Sequence, residues 1–310
     1  MTRVKAELLL AAIIVARGSS YLFSKLSLGT IGPFTMLALR FIISFALLYI
    51  IFFKKINNIN RKEMLHGSVL GILLFTIVAL ELYGLKTIDS SMASFIENIA
   101  IVLIPIFEAI LIRKLPKPAV MISTFIILLG VGFLTMENST ITLSVGEMFC
   151  IGSAALYAVM VIFTDRVCHE GDPITLGVVQ IGVVGILGLC TSFIFEQPHL
   201  PASGQEWFYI MSLAVICTVF GFTFQPLAQK YISANRSGQI CALNPVTAAV
   251  LGWVFLNEQM GLLKIFGAIL IVGGVLYTGS IQDNNEELEE TPNVESNNLD
   301  VNDLDINQYT

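Results

Sequence analysis

Long apolar runs, each of about 20 residues, recur along the chain and are separated by short polar stretches. A run of that length spans a hydrocarbon core of about 30 Å when it is helical. Because lipid offers the backbone no hydrogen-bond partners, each run is predicted to form a helix. The predicted helices cover residues 6–28, 33–53, 65–86, 91–112, 118–136, 145–164, 174–195, 206–229, 236–256 and 261–280. The pattern therefore predicts an all-α membrane protein with about ten transmembrane helices.

The polar and proline positions repeat at an offset of 140 residues. The offset pairs prolines or polar residues within or at the ends of the apolar runs: Glu7 with Glu147, Arg17 with Tyr157, Pro33 with Pro173, Arg40 with Gln180, and Pro105 with Pro245. The chain thus contains the same five-helix pattern twice. Because five is odd, the second copy enters the membrane from the opposite side and is inverted. We predict two inverted five-helix repeats, residues 1–140 and residues 141–282.

Residues 283–310 have a different composition from the rest of the chain. They contain nine of the 23 acidic residues, no Lys or Arg, and no apolar period. Such a segment cannot bury enough surface to order itself. It is predicted to be a disordered acidic tail on the cytoplasmic side.

Lys and Arg fall unevenly between alternate connections, and short cytoplasmic loops are enriched in both. If the N-terminus is inside, the cytoplasmic stretches hold twelve of the 17 basic residues: Arg3, Lys5, Lys54, Lys55, Arg61, Lys62, Arg113, Lys114, Lys117, Arg166, Lys230 and Arg236. This bias predicts a multi-pass protein of a prokaryotic plasma membrane with both termini in the cytoplasm.

Composition supports the membrane assignment and excludes several function classes. The chain is 55% hydrophobic and 13% charged, with a mean hydropathy of +0.80, whereas soluble domains carry about 25% charged residues. No basic patch suggests nucleic acid, and the five cysteines are scattered without the spacing of a metal site. No phosphate-binding glycine loop or catalytic motif is present. We expect membrane lipid as a partner, no cofactor, no metal and no enzymatic activity, and leave a homodimer open.

Three motifs in the second half form an ordered set. They are Leu243-Asn244-Pro245-Val246, then Gly252-Trp253 followed by Leu256 and Glu258, then a closing helix with Gly267, Gly273 and Gly274. In this order they resemble the EamA repeat of the drug/metabolite transporter superfamily, over roughly residues 6–280. In the first half, Arg17-Gly18-Ser19-Ser20 stands where that family usually has Trp-Gly-Ser-Ser. The resemblance implies ten helices around a central cavity and secondary transport, often export, of amino acids or other metabolites.

Ionisable side chains inside the predicted helices are the main candidates for a binding site. Each costs roughly 2.5–3.5 kcal/mol on insertion, so it usually faces a cavity or a partner. Arg17 lies about 16 Å along the first helix, near the bilayer midplane. Arg40, Glu81 and Glu97 share one depth, about 8–10 Å below the outer helix ends. We predict that these four residues bind substrate; a structural ion pair is the alternative for Arg17, and a structural role is the alternative for Arg40.

Two prolines add candidates of a second kind. Pro105 and Pro245 interrupt helices at matching positions of the two halves, and broken helices at such positions often mark a transport site. The alternative is a kink that serves packing. Asn244 and Gln239 beside Pro245, and Tyr157 at the position paired with Arg17, are predicted to line the path, as are Gln180 and Gln225.

The sequence thus favours a secondary transporter, exporting a small metabolite such as an amino acid by alternating access around a central cavity. Two other classes stay open. One is an intramembrane enzyme in which Glu81 and Glu97 perform acid–base chemistry on a lipid-linked substrate. The other is a membrane sensor module that uses the acidic tail.

Overall fold

The computed structural model describes residues 1–27, 30–85, 87–88, 96–113, 118–135, 144–256 and 261–290. The helices of the first half are α1 (Arg3–Ser27), α2 (Pro33–Ile51), α3 (Phe53–Ile56), α4 (Arg61–Leu85), α5 (Ala100–Ile112) and α6 (Pro118–Thr135). Those of the second half are α7 (Val145–Val167), α8 (Pro173–Phe195), α9 (Gly204–Ser212), a π-helix (Leu213–Phe220), α10 (Gly221–Thr223), α11 (Gln225–Gln229), α12 (Ala234–Cys241), α13 (Leu243–Leu256) and α14 (Leu262–Glu290).

Ten helical stretches can account for the predicted spans. Seven of those in the described ranges are long and apolar enough to cross a membrane, and three shorter apolar helices cover Ala100–Ile112, Val120–Leu134 and Leu262–Tyr277. The prediction of an all-α membrane protein with about ten spans is confirmed. We call the side that carries Arg3, Lys55, Lys62 and Arg236 the basic face.

Helix packing follows the duplication. α2 packs against α8, and α6 packs against α14, so each of these helices meets its own counterpart from the other half. α4 packs on α7 and α8, while its counterpart, residues 204–229, packs on α1 and α2. Each half therefore inserts its third span between the first two helices of the other, as an inverted repeat requires.

Glycines allow the closest of these approaches. A Cβ added to Gly71 would lie 2.6 Å from Cβ of Val183 on α8, and one on Gly267 would lie 2.5 Å from the carbonyl oxygen of Gly130. Small residues let backbones approach without a side chain between them. Gly273 differs, because a Cβ there meets nothing within 4 Å.

Three predicted helices differ from the observed ones. The predicted helix 206–229 is interrupted by the π-helix and by a break at Phe224, and the predicted helix 236–256 is broken at Ala242. In the predicted helix 91–112, a turn at Asn98 and Ile99 precedes α5, and residues 91–95 lie outside the described ranges. Apolar length measures a span, but it does not report local breaks in the hydrogen-bond ladder.

The last helix also passes its predicted end at residue 280 and continues to Glu290. It therefore enters the segment predicted to be disordered, where Glu and Leu are strong helix formers that can extend an established helix. Residues 291–310 lie outside the described ranges, so the disordered tail stays a prediction for them.

Side-chain caps hold the ends of α2 and α8 on opposite faces. Glu196, at the end of α8, accepts hydrogen bonds from the backbone amides of Phe34 and Thr35, both at 2.9 Å. On the basic face, Asp172 caps α8 by accepting from the Thr175 amide at 3.0 Å. Each cap satisfies amides that the first helical turn leaves without partners.

Candidate functional site

A small cavity of about 20 Å³ lies between the two halves. Its walls come from α1, the start of α5, α7 and the broken pair α12–α13: Ile14, Arg17, Glu97, Asn98, Ala100, Ile101, Ile104, Tyr157, Gly238, Cys241 and Asn244. Four predicted site residues, Arg17, Glu97, Tyr157 and Asn244, are thus brought together. A polar cavity between inverted repeats is the arrangement expected of a central transport site.

Arg17 is the cation of this cavity, and neutral groups of the second half hold it. Its Nη1 donates to the Tyr157 hydroxyl at 3.2 Å and to Oε1 of Gln225 at 2.8 Å. Its guanidinium carbon lies 4.2 Å from the centre of the Phe222 ring. A cation over an aromatic face is stabilised by the ring quadrupole. The guanidinium is therefore fixed in position without a bidentate carboxylate partner among the described residues.

One edge of the guanidinium, formed by Nε and Nη2, remains available for a ligand. Both hydrogen bonds use Nη1, and within the described ranges Nε and Nη2 have no hydrogen-bond partner. Arginine presents five N–H donors in a planar fork that matches a carboxylate. Arg17 can accordingly accept an anionic group through its free edge.

The broken span at 204–229 sets the partners of Arg17. Gly221 follows the π-helix directly, and a Cβ there would lie 2.7 Å from Cγ of Arg17, so the absence of a side chain admits the arginine stem. Phe222 and Gln225 lie on either side of the break at Phe224. Irregular helical turns of this kind are frequent at functional sites.

The remaining polar groups of the cavity differ in charge from Arg17. Glu97 is close enough to Arg17 for their charges to interact. Asn98 lies beside it in the turn before α5. Oδ1 of Asn244 is buried and has no hydrogen-bond partner in the part of the chain that the structure describes. The cavity thus offers one cation, one carboxylate and amide groups to the same small volume.

Tyr157 links the cation to a thiol. Its hydroxyl lies 3.3 Å from Sγ of Cys241, where either atom can be the donor, and it accepts the hydrogen bond from Arg17. Cys241 was not among the predicted site residues, but it lines the cavity. Its position three residues before Asn244, close to one helical turn, was the available signal.

Five of the residues predicted to bind substrate or line the path lie outside the cavity lining: Glu81, Arg40, Gln180, Gln225 and Gln239. Glu81 is half-buried on α4, near enough to Glu97, Arg17 and Arg40 to interact with their charges. Arg40 donates through Nε to the hydroxyl of Thr218 in the π-helix. Their charges are neighbours, but depth along a helix does not say which side chains reach the cavity.

Gln239 also points elsewhere. It is 1% exposed, and its Nε2 donates to the Ser123 hydroxyl on α6 at 2.9 Å. It links α12 to α6 and does not line the cavity that holds Arg17.

The two prolines do not mark equivalent breaks. Pro105 lies inside α5, whereas Pro245 lies in the first turn of α13, directly after the break at Ala242. Only the second coincides with an interruption of the helix. The first-half interruption precedes Pro105, at Asn98 and Ile99.

A buried ion pair near the basic face was missed. Arg236 is 4% exposed and donates to both carboxylate oxygens of Glu7, through Nη2 at 2.6 Å and Nε at 3.0 Å. Its Nη1 donates to the carbonyl of Val275 on α14. The charge count placed Arg236 among loop residues, and only the recurrence of Glu7 in the repeat pattern hinted at a role.

The basic face also carries exposed ion pairs between the halves. Lys55 contacts Asp172 at 3.0 Å, and Lys62 contacts Glu170 at 2.9 Å. Burial alone would raise the pKa of Asp172, but hydrogen bonds from Thr175 and Lys55 outweigh it and lower the pKa below its usual value. The hydrogen bond from Lys62 lowers the pKa of Glu170. Both carboxylates are therefore ionised at neutral pH.

Across the described ranges, no group of three or more His, Cys, Asp and Glu side chains could hold a metal ion.

Comparison with known proteins shows where this architecture recurs. The family profile described as "EamA-like transporter family" matches residues 4–136 and 144–280. A protein of Archaeoglobus fulgidus described as an uncharacterized transporter is 22% identical, over 90% of this chain and 98% of its own length. The Bacillus subtilis uncharacterized transporter YetK is 23% identical over 87% of this chain and 85% of its own.

A protein of known crystal structure has the same fold. It superposes with a TM-score of 0.77 at 20% sequence identity and covers 90% of this chain and 99% of its own. The two family matches coincide with the two predicted halves.

Proposed function

The chain belongs to the EamA-like transporter family, and we propose that it is a secondary transporter that exports a small metabolite such as an amino acid. The proposed site is the cavity between the halves, and the proposed membrane is the plasma membrane of a prokaryote. Membrane transport follows from the family; the substrate, the direction and the mechanism are the proposal.

One observation supports it most strongly: neutral groups hold Arg17 between the two halves, with the edge formed by Nε and Nη2 available. An arginine inside the membrane raises the free energy of insertion unless its charge interacts with a partner or a ligand. Tyr157 and Gln225 position the guanidinium but do not neutralise it. A ligand carboxylate would bind the guanidinium through paired hydrogen bonds, beside the charge of Glu97.

The polar groups in the rest of the cavity lining match the chemistry of a small zwitterion, for which the cavity would have to widen. Glu97 offers a carboxylate to an ammonium group, and the Asn244 Oδ1 offers an acceptor with no described partner. Ile101 and Ile104 provide apolar wall for a side chain. These groups come from both halves, so a rocking motion of one half against the other would change access to the ligand from one face to the other.

The intramembrane-enzyme alternative has weaker support. It requires Glu81 and Glu97 to act together on a substrate, but Glu81 is not part of the cavity wall. The family assignment also favours transport.

Reconstituted vesicles test the proposal. Purified protein in liposomes would be loaded with one unlabelled amino acid, organic acid or amine at a time, and uptake of the labelled form of the same compound by exchange would be measured. We expect exchange of zwitterionic amino acids with small apolar side chains, and little exchange of amines that lack a carboxylate. Exchange of amines without any carboxylate requirement would contradict the role of Arg17.

The proposed orientation has its own test. Single cysteines at Asn58 and His199 lie on opposite faces, in the connection before α4 and in the connection after α8. In intact cells an impermeant thiol reagent should label the cysteine at His199 and spare the one at Asn58. The reverse pattern would place the basic face outside.

A further inference from the structure

One face of α1 joins the cavity to the basic face. Residues at helical spacing, Arg3, Glu7, Leu10, Ile14 and Arg17, run along it from the helix start to the cavity. Leu10 and Ile14 are fully buried. This face is thus polar at both ends and apolar between them.

The apolar stretch closes the cavity on the side of the basic face. Ile14 and Ile104 are both buried, and both line the cavity together with Gly238 of α12. A Cβ added to Gly238 would lie 2.5 Å from Cδ1 of Ile104, so α5 and α12 meet in direct contact there. The three residues come from α1, α5 and α12, and they form a plug between the two halves.

The Glu7–Arg236 ion pair lies beyond this plug. It joins α1 of the first half to α12 of the second, and Arg236 also reaches α14 through the carbonyl of Val275. The Glu7 side chain is 18% exposed and that of Arg236 only 5%. The pair therefore lies at the boundary between the plug and solvent, where α1 and α12 would have to separate for the cavity to open on this face.

We propose that Glu7 and Arg236 form the gate latch of the basic face, holding the plug of Ile14, Ile104 and Gly238 closed in the conformation seen here. The proposal rests on the proposed function, because a gate has meaning only if the cavity opens. Arg3, whose Nε lies 3.3 Å from Oε1 of Glu7, adds a second cation to the latch.

An ion pair with two hydrogen bonds is well suited to a gate that opens and closes. In the closed state both charges are paired, and the guanidinium is almost completely removed from solvent. When α1 and α12 separate, both groups become hydrated, which offsets part of the lost attraction. Removing Glu7 leaves the Arg236 guanidinium buried without its carboxylate, and removing Arg236 leaves Glu7 only its contact with Arg3. Either change therefore destabilises the closed state more than the open one.

Cys241 provides a direct measure of gate opening, since it is 8% exposed and lines the cavity above the plug. The other four cysteines would be replaced by Ala, and the purified protein would be reconstituted in sealed vesicles with the basic face outward. A charged, impermeant methanethiosulfonate reagent added outside would then report how often the plug opens. This readout requires no knowledge of the substrate.

The expected result is faster modification of Cys241 in Glu7→Gln and in Arg236→Gln, by at least about tenfold. The double variant should be no faster than either single variant, because the second substitution removes a partner that is already lost. Arg236→Lys keeps the charge but cannot bind both carboxylate oxygens, and should give an intermediate rate.

Two controls separate a gate from general loosening. Lys55→Gln removes an exposed ion pair of the same face and should change the Cys241 rate by less than about twofold. In a background that keeps only Cys150, which is 1% exposed on α7, Glu7→Gln should leave the rate unchanged.

Unchanged modification of Cys241 in both single variants would overturn the latch, as would parallel acceleration at Cys150. If Glu7→Gln yields too little folded protein, Arg236→Lys decides in the same way. A protein that fails every exchange assay yet shows the predicted rates would refute the choice of substrates and leave the gate in place.

Discussion

The third span of each half has the same place in the duplicated fold but a different backbone. In the first half it is α4, one uninterrupted helix from Arg61 to Leu85 that packs on α7 and α8. In the second half it is residues 204–229, where α9 gives way to the π-helix and two short helices that pack on α1 and α2. The two spans thus occupy equivalent positions in the fold but differ in their backbone hydrogen bonding.

The irregular span carries the polar contacts. The hydroxyl of Ser44 donates to the carbonyl of Ala214 at 2.9 Å, and Arg40 donates to Thr218, both within the π-helix. A little further along, Phe222 and Gln225 hold Arg17. α4 contributes Glu81 at a distance from the cavity wall. The second half thus provides the groups that bind Arg17 and Arg40 of the first half, and the π-helix contributes one of them, the Thr218 hydroxyl.

A one-residue deletion in each third span should give the largest difference in the amount of folded protein between the two spans. Loss of Ile72 from α4 rotates everything beyond it by about 100° and misaligns its packing on α7 and α8, so folded protein should fall severalfold or more. Loss of Val215 removes one residue from the π-helix, which can return to α-helical geometry and keep the flanking register. Detergent-stable protein after size-exclusion chromatography measures both. Equal amounts of folded protein from the two deletion variants would show that the π-helix does not absorb the loss of a residue better than α4 does.

A pair of identical substitutions tests the close approach to the irregular span. A Cβ on Gly177 of α8 would lie 2.7 Å from the carbonyl oxygen of Thr223, a backbone atom that cannot easily move. Gly177→Ala should therefore cost about 1–3 kcal/mol of stability. Gly273→Ala meets open space and should be neutral or stabilising by up to about 1 kcal/mol. Thermal unfolding followed in detergent decides, and a stable Gly177→Ala variant would contradict the observed contact.

Much of this architecture could be predicted because it depends on local sequence. Apolar length gave the spans, and the offset that pairs Arg17 with Tyr157 located two cavity residues that hydrogen-bond each other. Asn244 was found because Pro245 marked a break. These signals work because the cost of polar and irregular groups in lipid leaves a trace in the sequence itself.

The rest depends on contacts between distant segments. Nothing in the apolar run Leu213–Phe220 indicates a π-helix, because its widened turn is matched to Ser44 and Arg40 of another helix. Arg236 was counted as a loop charge, since only the folded protein places it beside Glu7. The predicted depth of Glu81 did not say which way its side chain faces, because its direction around α4 is set by packing.

A threonine in each span gives a smaller contrast. Thr218→Val removes the acceptor of the half-buried Arg40 side chain and should destabilise the protein by about 1–3 kcal/mol. Thr76→Val in α4 removes a hydroxyl that donates to the carbonyl of Ile72 in its own helix, and should change stability by less than about 0.5 kcal/mol. Melting temperatures of the two variants compare them directly; a larger loss for Thr76→Val would reverse the assignment of the polar span.

The smallest expected effect concerns how the spans begin. Asn60 caps α4 and Ser203 caps 204–229, and Glu63 in the first turn of α4 also accepts a hydrogen bond from the Asp172 amide at 3.0 Å. The lowered pKa of Asp172 means that its carboxylate stabilises the fold above the usual aspartate pKa of about 3.9, and that this contribution is lost as the pH falls through the lowered value.

Asp172→Asn keeps a capping side chain but removes the charge, so it should lower stability at neutral pH by less than about 1 kcal/mol. It should also flatten the stability profile between about pH 5 and pH 3. Unfolding measured across that range provides the check. A profile as steep as that of the unaltered protein would assign the acid sensitivity to another carboxylate.

The central claim is that the cavity between the halves binds substrate through Arg17. Its most direct measurement is transport per folded molecule in Arg17→Gln and Arg17→Lys beside the unaltered protein, with membrane protein amount quantified in parallel. We expect near-normal amounts of folded protein, with transport reduced about a hundredfold in Arg17→Gln and clearly reduced in Arg17→Lys, because lysine cannot offer the paired donors. Normal transport by Arg17→Gln, or loss of folded protein in both variants, would contradict the claim and return Arg17 to a structural role.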